Sequence, residues 1–395
     1  MSSPIAGAIE MSRTAQTFAP PVMEARRWLD GLDFAERPLL NVSQAAPVEP
    51  PHPDLRRAMA AALEDTATHL YGPVLGLPGL RAELAAQWSA SYGGTIAADN
   101  VAITSGCNQA FSAAISTLCG EGDEVILPVP YYFNHRMWLD MAGARTVPLP
   151  CGPGLVPVAR DAAALITERT RAIALVSPNN PTGAEYPGET LKEFYDLCQA
   201  RGIALILDET YRDFHSAPGA PHGLFADDDW AETFIHLYSF SKAYRLTGHR
   251  TGAIITSQTR MAEVEKFLDT VSVCPSQLGQ RAALWGMQNL GQWLAGEREE
   301  ILARRAAIET EFPRLAAQGW QLLGAGAYFA YVRFPHAVRS DVFAQKLVRD
   351  AGILCLPGTM FDVPGSGERD LRIAFANIDK AGIDELFDRL ETFQP

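Results

Sequence analysis

A lone lysine among small and hydroxyl-bearing side chains marks the stretch Ser239-Phe240-Ser241-Lys242-Ala243-Tyr244-Arg245-Leu246-Thr247-Gly248-His249-Arg250. The stretch follows a largely apolar, strand-like run at residues 234–237. A lysine amine held at a strand end among short polar side chains can form a Schiff base with an aldehyde. The Ser239 hydroxyl and the Arg250 guanidinium are suited to binding a phosphate. Most lysines are solvated surface residues, but this combination indicates an anchor for pyridoxal 5′-phosphate (PLP).

The composition is that of a large folded protein with an acidic surface. Its 395 residues suffice for one large domain and a smaller one, and the 47% of apolar residues supply a sizeable core. The formal net charge is −13, from 33 basic against 46 acidic residues, and no basic block stands out. We therefore expect no nucleic-acid partner.

The cysteine pattern and the hydropathy of the chain indicate the cellular compartment of the protein. None of the six cysteines forms a C-x-x-C pair: they are Cys107, Cys119, Cys151, Cys198, Cys274 and Cys355. This pattern favours reduced thiols and argues against a zinc site or a disulfide framework. Residues 1–31 lack the charged start and apolar core of a secretory signal, and apolar runs such as 203–207 are too short to span a bilayer. We expect a soluble, cytoplasmic protein without a bound metal or a membrane partner.

Short apolar strands alternate with helical segments over much of the chain. This alternation predicts βαβ units and a mostly parallel sheet. Ligand sites in such sheets lie at the carboxyl ends of the strands. Six candidate residues each follow an apolar strand: Ser105, Tyr132, Asn180, Asp208, Tyr211 and Lys242. Their convergence predicts a single site at that edge of the sheet.

Three of these strand ends carry specific chemistry. Residues 105–108 join a strand to a helix, and the free backbone N–H groups of such a turn suit a phosphate. Asp208 ends an all-apolar strand, where a carboxylate is costly unless it meets a positive partner, and a pyridinium nitrogen is such a partner. Tyr211, three residues later, can reach the same ligand. Asn180 precedes Pro181, which favours an extended backbone that can aim its amide into a cleft.

Other candidates have structural alternatives. Tyr71 lies in a loop punctuated by glycine and proline, and it serves either to pack that loop or to act in a site. Tyr132 either stacks on a planar ring or packs in the core. Arg372 lies in the run 371–375, in which apolar and other residues alternate. Its side chain either faces solvent or forms a bidentate pair with a substrate carboxylate. The segment 324–329 half resembles a dinucleotide-binding fingerprint, but it lacks the third glycine and precedes a strand, so that function is excluded.

The chain resembles the PLP-dependent aminotransferases of class I/II, which have the aspartate aminotransferase fold (fold type I), over nearly its whole length. Three motifs occur in the family's order and approximate spacing: Ser239-Phe240-Ser241-Lys242 with Arg250, Asn180-Pro181-Thr182-Gly183, and Asp208 with Tyr211. The resemblance implies an α/β fold with a large, mostly parallel sheet flanked by helices, plus a smaller α+β domain. We expect an arm at residues 1–53 that contributes to the small domain, a large PLP-binding domain at 54–290 and a small domain at 291–395.

The resemblance also implies a role for each candidate residue. Lys242 is expected to hold PLP as an internal aldimine, and Asp208 to pair with the pyridinium nitrogen. Tyr211 and Asn180 are expected to bond the phenolic oxygen of PLP, and Tyr132 to stack on its ring. The phosphate is expected to be bound by Ser105, Gly106, Cys107, Ser239 and Arg250. Tyr71 from the neighbouring subunit of a homodimer is expected to assist them. The substrate α-carboxylate is expected to be bound by Arg372 with Asn180.

The implied reaction moves an amino group from an L-amino acid to a 2-oxo acid, with Lys242 as base and then acid. Relatives specific for dicarboxylic acids bring a second arginine across the dimer. The corresponding stretch, 271–280, has none, so a dicarboxylate specialist is not expected. Residues 43–47 lack the glycine often found there, which is expected to alter contacts to the substrate carboxylate.

Two alternatives to transamination remain at this point. A carbon–sulfur β-lyase, a decarboxylase or an amino-acid oxidase on the same fold would share the anchor residues. A PLP-binding sensor domain of a transcription regulator would need a DNA-binding module, for which the N-terminal arm is short and broken by prolines. The sequence leaves the amino donor and the acceptor open.

Overall fold

The computed structural model describes residues 12–395 and contains, within them, thirteen β-strands and fourteen α-helices. The strands are β1 (Leu40–Asn41), β2 (Val101–Thr104), β3 (Glu124–Val129), β4 (Arg145–Pro150), β5 (Thr170–Val176), β6 (Ala204–Asp208), β7 (Phe234–Ser239), β8 (Gly252–Ile255), β9 (Gln321–Gly326), β10 (Phe329–Arg333), β11 (Ile353–Leu354), β12 (Leu356–Pro357) and β13 (Asp370–Ile373). The helices are α1 (Pro21–Arg27), α2 (Pro53–Ala62), α3 (Pro78–Tyr92), α4 (Cys107–Leu118), α5 (Phe133–Ala142), α6 (Ala159–Ala163), α7 (Gly188–Arg201), α8 (Trp230–Thr233), α9 (Phe240–Ala243), α10 (Gln258–Ser272), α11 (Gln277–Asn289), α12 (Gly291–Ala316), α13 (Ser340–Lys346) and α14 (Lys380–Thr392). Among these helices of the described chain, none combines the length and hydrophobicity needed to cross a membrane.

The larger sheet has seven strands in the order β2-β8-β7-β6-β5-β3-β4. Its neighbouring strands are parallel except at β8, which runs antiparallel to both β2 and β7. Leu205 and Leu207 of β6 join one apolar cluster, while Ala204 and Ile206 join another, so alternate side chains point to opposite faces of the sheet. All residues of β6 and β7 are buried, as expected for strands covered on both faces. The predicted mostly parallel sheet flanked by helices is confirmed.

A second, antiparallel sheet has the order β12-β13-β10-β9 and packs against α12 and α13, and α14 packs on α12. Its apolar cluster collects side chains from residues 301 to 393, and Leu40 and Val42 from the N-terminal segment pack into the same cluster. Strand β1 pairs in parallel with β11. The division at residues 53 and 290 stays a prediction, and residues 1–11 of the predicted arm lie outside the described part of the chain.

Three helix boundaries differ from those that the sequence pattern predicts, namely a cap at Asp54, a helix at residues 23–32 and a helical interruption near Gly296. Asp54 does not cap α2, because Pro53 occupies the first helical position and the Nδ1 atom of His52 accepts the Asp54 N–H at 3.2 Å. Helix α1 ends at Arg27 and not at residue 32, because the following backbone bonds are of the i→i−3 type. The predicted helical interruption near Gly296 is also wrong, since this glycine lies inside α12.

The glycine-rich segment excluded as a nucleotide motif forms the β9–β10 hairpin. Its Gly326 lies backbone to backbone against Gly183 in the loop after β5, and a Cβ atom added at either residue would overlap the other segment. Glycine is therefore required at both positions for close approach, which brings the hairpin of the second sheet onto the loop that carries Asn180.

Candidate active site

A cavity of about 520 Å³ lies at the carboxyl ends of β5, β6 and β7, where α1, α4 and α5 begin or pass. Its volume falls within the range of small-molecule sites. Nine of the twelve predicted site residues line it: Cys107, Tyr132, Asn180, Asp208, Tyr211, Ser239, Lys242, Arg250 and Arg372. Because parallel strands end at one edge of a sheet, residues far apart in sequence meet here.

Lys242 lies in the short helix α9, which begins directly after β7. The Ser239 hydroxyl caps this helix by accepting the Ser241 N–H at 3.2 Å. The Nζ atom of Lys242 donates a hydrogen bond to the Ala45 carbonyl. Burial, together with the smaller effects of the Arg250 and Arg372 charges, lowers the pKa of Lys242 from 10.5 to about 7. A large fraction of this amine is therefore unprotonated near neutral pH, as a nucleophile requires.

Asp208 is a buried carboxylate at the end of β6. Its Oδ1 atom accepts the Thr210 N–H at 2.9 Å, and its Oδ2 atom lies 3.2 Å from Nε2 of His135. Burial acts to raise the pKa of Asp208, but His135 and Thr210 outweigh it, so the pKa is lowered below its ordinary value. Asp208 thus holds its negative charge inside the cavity.

His135 was not predicted from the sequence. Its ring stacks on Phe111 at 3.8 Å between centroids, and it is buried beside Asp208. The available clue is its position: His135 lies in the first turn of α5, three residues after Tyr132, which precedes the helix.

Arg372 is also buried, with 2% of its surface exposed, so the alternative that it faces solvent is wrong. Its Nη1 atom donates to Asn180 Oδ1 at 2.8 Å, and its Nη2 atom donates to the Ser43 carbonyl. The guanidinium lies over the rings of Phe329 and Phe361, at 5.0 and 4.8 Å. A fixed, desolvated guanidinium of this kind favours a planar carboxylate ligand.

The start of α4 and Arg250 form a cradle suited to an anion. Gly106 has a φ of +85°, and a Cβ atom there would overlap the Arg250 guanidinium. Arg250 Nη1 also donates to the Thr247 carbonyl at 2.9 Å. Together with the backbone N–H groups at the helix start, this arrangement suits a phosphate.

Three predicted residues do not line the cavity. The Gly106 backbone lies against the Arg250 guanidinium, and its N–H donates to the Thr104 carbonyl at 2.8 Å. The Ser105 N–H donates to Gln109 Oε1 at 2.6 Å. Tyr71 is 83% exposed, so its ring does not pack the loop that carries it. The cavity lining includes residues that sequence reasoning missed, among them Arg26, Asn108, Asn134, Thr210, Ser241 and Thr247.

The residues present fit PLP. A largely unprotonated lysine matches its aldehyde, a buried carboxylate matches its ring nitrogen, and the cradle at α4 matches its phosphate. Burial also raises the pKa of Tyr211 well above its ordinary value, so this phenol is a neutral hydrogen-bond donor beside them. No group of His, Cys, Asp and Glu suited to a metal occurs within residues 12–395.

The family model described as aminotransferase class I and II matches residues 37–390. The chain belongs to this family. This aminotransferase is 31% identical to the valine–pyruvate aminotransferase of Mycobacterium tuberculosis, over 90% of this chain and 91% of the relative. It is 29% identical to an aromatic aminotransferase of Arabidopsis thaliana, over 80% of this chain and 82% of the relative.

Solved structures of aminotransferases have the same fold as this chain. An aminotransferase from Mycobacterium tuberculosis superposes with a TM-score of 0.87 at 28% identity, covering 98% of this chain and 99% of the other. Aspartate aminotransferase from Thermus thermophilus has the same fold, with a TM-score of 0.88 at 23% identity over 97% and 99% of the two chains. The aminotransferase is a PLP-dependent enzyme acting on amino acids and 2-oxo acids, and the predicted family, fold, activity and cofactor are confirmed.

Proposed function

We propose that this aminotransferase moves the amino group of an L-amino acid with an uncharged side chain to a 2-oxo acid, using Lys242 as both anchor and proton carrier. The observation that carries the proposal is that the buried Lys242 amine and the buried Asp208 carboxylate line one cavity. PLP, when bound, supplies an aldehyde for the amine and a ring that withdraws electrons from the substrate.

Asp208 is proposed to keep the ring nitrogen of PLP protonated. A fixed anion in a desolvated site stabilises positive charge without reorganisation. His135 and the Thr210 N–H hold the two carboxylate oxygens, which orients this charge toward the cavity. Tyr211 and Asn180 would hydrogen-bond the phenolic oxygen of PLP, and Tyr132 would pack against its ring.

Lys242 is proposed to act as the proton carrier: it would take the proton from the substrate Cα as a base and would then release one as an acid. A pKa of about 7 suits both steps near neutral pH, because the amine accepts and releases a proton with similar ease. Arg372 holds the substrate α-carboxylate, and its bond to Asn180 ties this carboxylate's position to that of the phenolic oxygen. The substrate Cα is thereby kept near the lysine.

The phosphate of PLP is proposed to lie between Arg250, Ser239 and the start of α4, where the Cys107 N–H would bind it. Gly106, whose own N–H donates to the Thr104 carbonyl, would contribute through its lack of a Cβ atom. Ser105 retains its role only by the family resemblance. Tyr71 is proposed to reach the site of a second subunit. Its exposure, next to exposed Leu70 and near exposed Val271 and Val273, supports a homodimer interface.

The donor class follows from the apolar part of the cavity wall. Pro20, Val22, Met23 and Phe133 line that part of the cavity with apolar surface. Apolar walls favour apolar or aromatic side chains, in accord with relatives named for valine and for aromatic amino acids.

We also propose the division into an arm, a large domain ending at residue 290 and a small domain. The cytoplasmic location stays a prediction.

A donor panel tests the proposal. Purified enzyme is incubated with L-valine, L-phenylalanine or L-aspartate, with and without a 2-oxo acid, and new amino acids and free ammonia are measured. Amino transfer from valine or phenylalanine that requires the 2-oxo acid is expected. Release of ammonia without a 2-oxo acid would indicate a lyase and contradict the proposal.

A further inference from the structure

A buried polar cluster lies behind the chain segment that carries Asp208 and Tyr211. This segment begins at the end of β6 and turns Asp208, Thr210 and Tyr211 toward the cavity. Glu209 and Arg212 point to the other side, where they contact side chains of α3. Neither of these two residues lines the cavity, and neither has a role in the proposed reaction.

Glu209 is the centre of this cluster and is fully buried. Its Oε2 atom accepts a hydrogen bond from the Tyr92 hydroxyl and a second one from Nε2 of His236 at 2.7 Å. Nε2 of His222 lies 3.4 Å from the same oxygen, and Nδ1 of this histidine accepts the Leu224 N–H at 3.2 Å. The proton of the His222 ring is therefore on Nε2, facing Glu209. Helix α3, strand β7 and the connection between β6 and β7 thus converge on one carboxylate oxygen.

Glu209 is ionised although it is buried. Burial acts to raise its pKa, but His222 and His236 outweigh this effect, and the pKa lies well below its ordinary value. The Arg212 guanidinium, which lies 4.0 Å from the centre of the Trp88 ring, adds a positive charge to the same cluster. A buried charge often stabilises a fold less than an apolar side chain of similar size, and its best-attested use is to specify one conformation. The cluster is therefore suited to fixing the backbone at Glu209.

The conformation specified here is that of the backbone beside the cavity. The Glu209 N–H donates to the Leu237 carbonyl at 2.9 Å, which joins the segment to β7. The Arg212 N–H donates to the Glu209 carbonyl at 3.0 Å, which closes the turn that carries Tyr211. Asp208 comes one residue before Glu209 and Tyr211 two residues after it, so a displacement of Glu209 displaces both.

We propose that Glu209 is a positioning residue of the amino-transfer reaction, which holds Asp208 at the ring nitrogen of PLP and Tyr211 at its phenolic oxygen. Without the three side chains that anchor Glu209, Asp208 and Tyr211 keep their chemistry but lose their fixed placement. A protonated ring nitrogen and a hydrogen bond to the phenolic oxygen both withdraw electrons from the nitrogen that joins Lys242 to PLP. Loosening either contact makes that nitrogen more basic. The inference rests on the proposed function, from which the roles of Asp208 and Tyr211 are taken.

The visible band of the lysine-bound cofactor measures this basicity directly. PLP-loaded enzyme is titrated with acid and base, and the pH midpoint of the change in the band is recorded. Glu209→Gln preserves the shape of the side chain but removes the charge that its donors bind. The midpoint of this variant is expected to rise by roughly 0.5 to 1 pH unit, the shift that corresponds to one weakened hydrogen bond. Tyr92→Phe, which removes one donor to Glu209, is expected to shift the midpoint in the same direction by less.

Glu124→Gln is the matched control. Glu124 is a fully buried carboxylate of the same sheet, and its Oε2 atom accepts the Thr167 hydroxyl at 2.6 Å. It is the first residue of β3, which is parallel to β5, so it lies at the end of the strands opposite to the cavity. Both Glu→Gln substitutions are expected to lower the thermal midpoint of unfolding, but Glu124→Gln is expected to leave the pH midpoint of the visible band unchanged.

Equal pH midpoints in Glu209→Gln and Glu124→Gln would overturn the inference, whatever the loss of stability, because Glu209 would then serve the fold alone. If Glu209→Gln does not fold, Tyr92→Phe decides, and a midpoint equal to that of the unmodified enzyme would overturn the inference as well. Failure of the proposed function is distinguished by the unmodified enzyme, which would then transfer no amino group to a 2-oxo acid in the donor panel.

Discussion

The burial of Lys242 connects stability to catalysis at the scale of one residue. Its pKa is about 7 in the folded chain against 10.5 ordinarily. Between these two pH values the unfolded chain binds more protons at this side chain than the folded apoenzyme does, so its contribution to stability rises with pH across that window. Replacing Lys242 by an apolar isostere removes the cost of burying the amine.

We therefore expect Lys242→Met to stabilise the apoenzyme. The increase in the free energy of unfolding at pH 7 should be on the order of 4 kcal/mol, since each pKa unit corresponds to about 1.4 kcal/mol. Urea unfolding of both apoenzymes at pH 7 and pH 10 measures it, and the advantage of the variant should shrink at the higher pH. A variant that is no more stable at pH 7 would show that Lys242 is not desolvated.

Asp208 is expected to matter through its charge and not through its shape. Asp208→Asn preserves the size of the side chain but removes the anion beside the PLP ring nitrogen. The rate should fall roughly 10²- to 10³-fold, the usual effect of losing one preorganised electrostatic partner. Single-turnover kinetics with a saturating amino acid measure this step, and an unchanged rate would remove Asp208 from the mechanism.

Sequence reasoning at this scale succeeded where a strand end positions the residue. Asn180, Asp208 and Lys242 follow strands of one parallel sheet, so their meeting could be inferred from pattern alone. His135 and Arg26 lie on helices whose approach to the cavity depends on tertiary packing. No spacing rule connects Arg26 with Lys242 before the chain is folded.

At the scale of elements, the contact between the β9–β10 hairpin and the loop after β5 is expected to set substrate affinity. Gly326→Ala would force the hairpin away from Gly183 and disturb the bond between Asn180 and Arg372. A raised KM for the amino acid and a lowered thermal midpoint are expected. Gly296→Ala is the control, because nothing lies within 4 Å of its added Cβ inside α12.

The control itself has a defined outcome. Alanine in a helix interior is more favourable than glycine by about 1 kcal/mol, so Gly296→Ala should be slightly more stable and equally active. If Gly326→Ala behaved like Gly296→Ala in both measurements, the hairpin would not position the substrate residues.

The existence and type of most elements were predictable because apolar periodicity is strong in buried strands. The residues at which helices and strands begin and end were harder to predict. Helix α2 is capped by His52 because Pro53 at the first helical position determines where the helix starts. Gly296 does not interrupt α12, because one glycine inside a helix of 26 residues costs only about 1 kcal/mol relative to alanine. The role of the glycines in 324–329 required the tertiary contact with Gly183.

At the scale of the whole molecule, the proposed homodimer makes each site depend on two subunits. The chain mass is 42.9 kDa, so sedimentation should give twice this value. Tyr71→Ala should fold normally, because the side chain is 83% exposed, yet bind PLP more weakly. A monomeric enzyme, or unchanged PLP affinity in Tyr71→Ala, would contradict the shared site.

Hybrid dimers sharpen this test. Co-expressed Tyr71→Ala and Lys242→Ala subunits produce one site that has both an intact Lys242 and an intact Tyr71 from its neighbour. Activity well above that of either variant alone is expected. No recovery in a verified hybrid would mean that Tyr71 acts within its own subunit or not at all.

The central claim is that Lys242 carries PLP through a reversible exchange of amino groups, and the visible absorption spectrum tests it most directly. An L-amino acid is added alone to the PLP-loaded enzyme, and a 2-oxo acid is added after the first substrate is removed. We predict that the amino acid abolishes the visible band of the lysine-bound cofactor, that the 2-oxo acid restores it, and that Lys242→Ala does neither. A band that never returns with the 2-oxo acid, or a Lys242→Ala enzyme that completes the same cycle, would contradict the account.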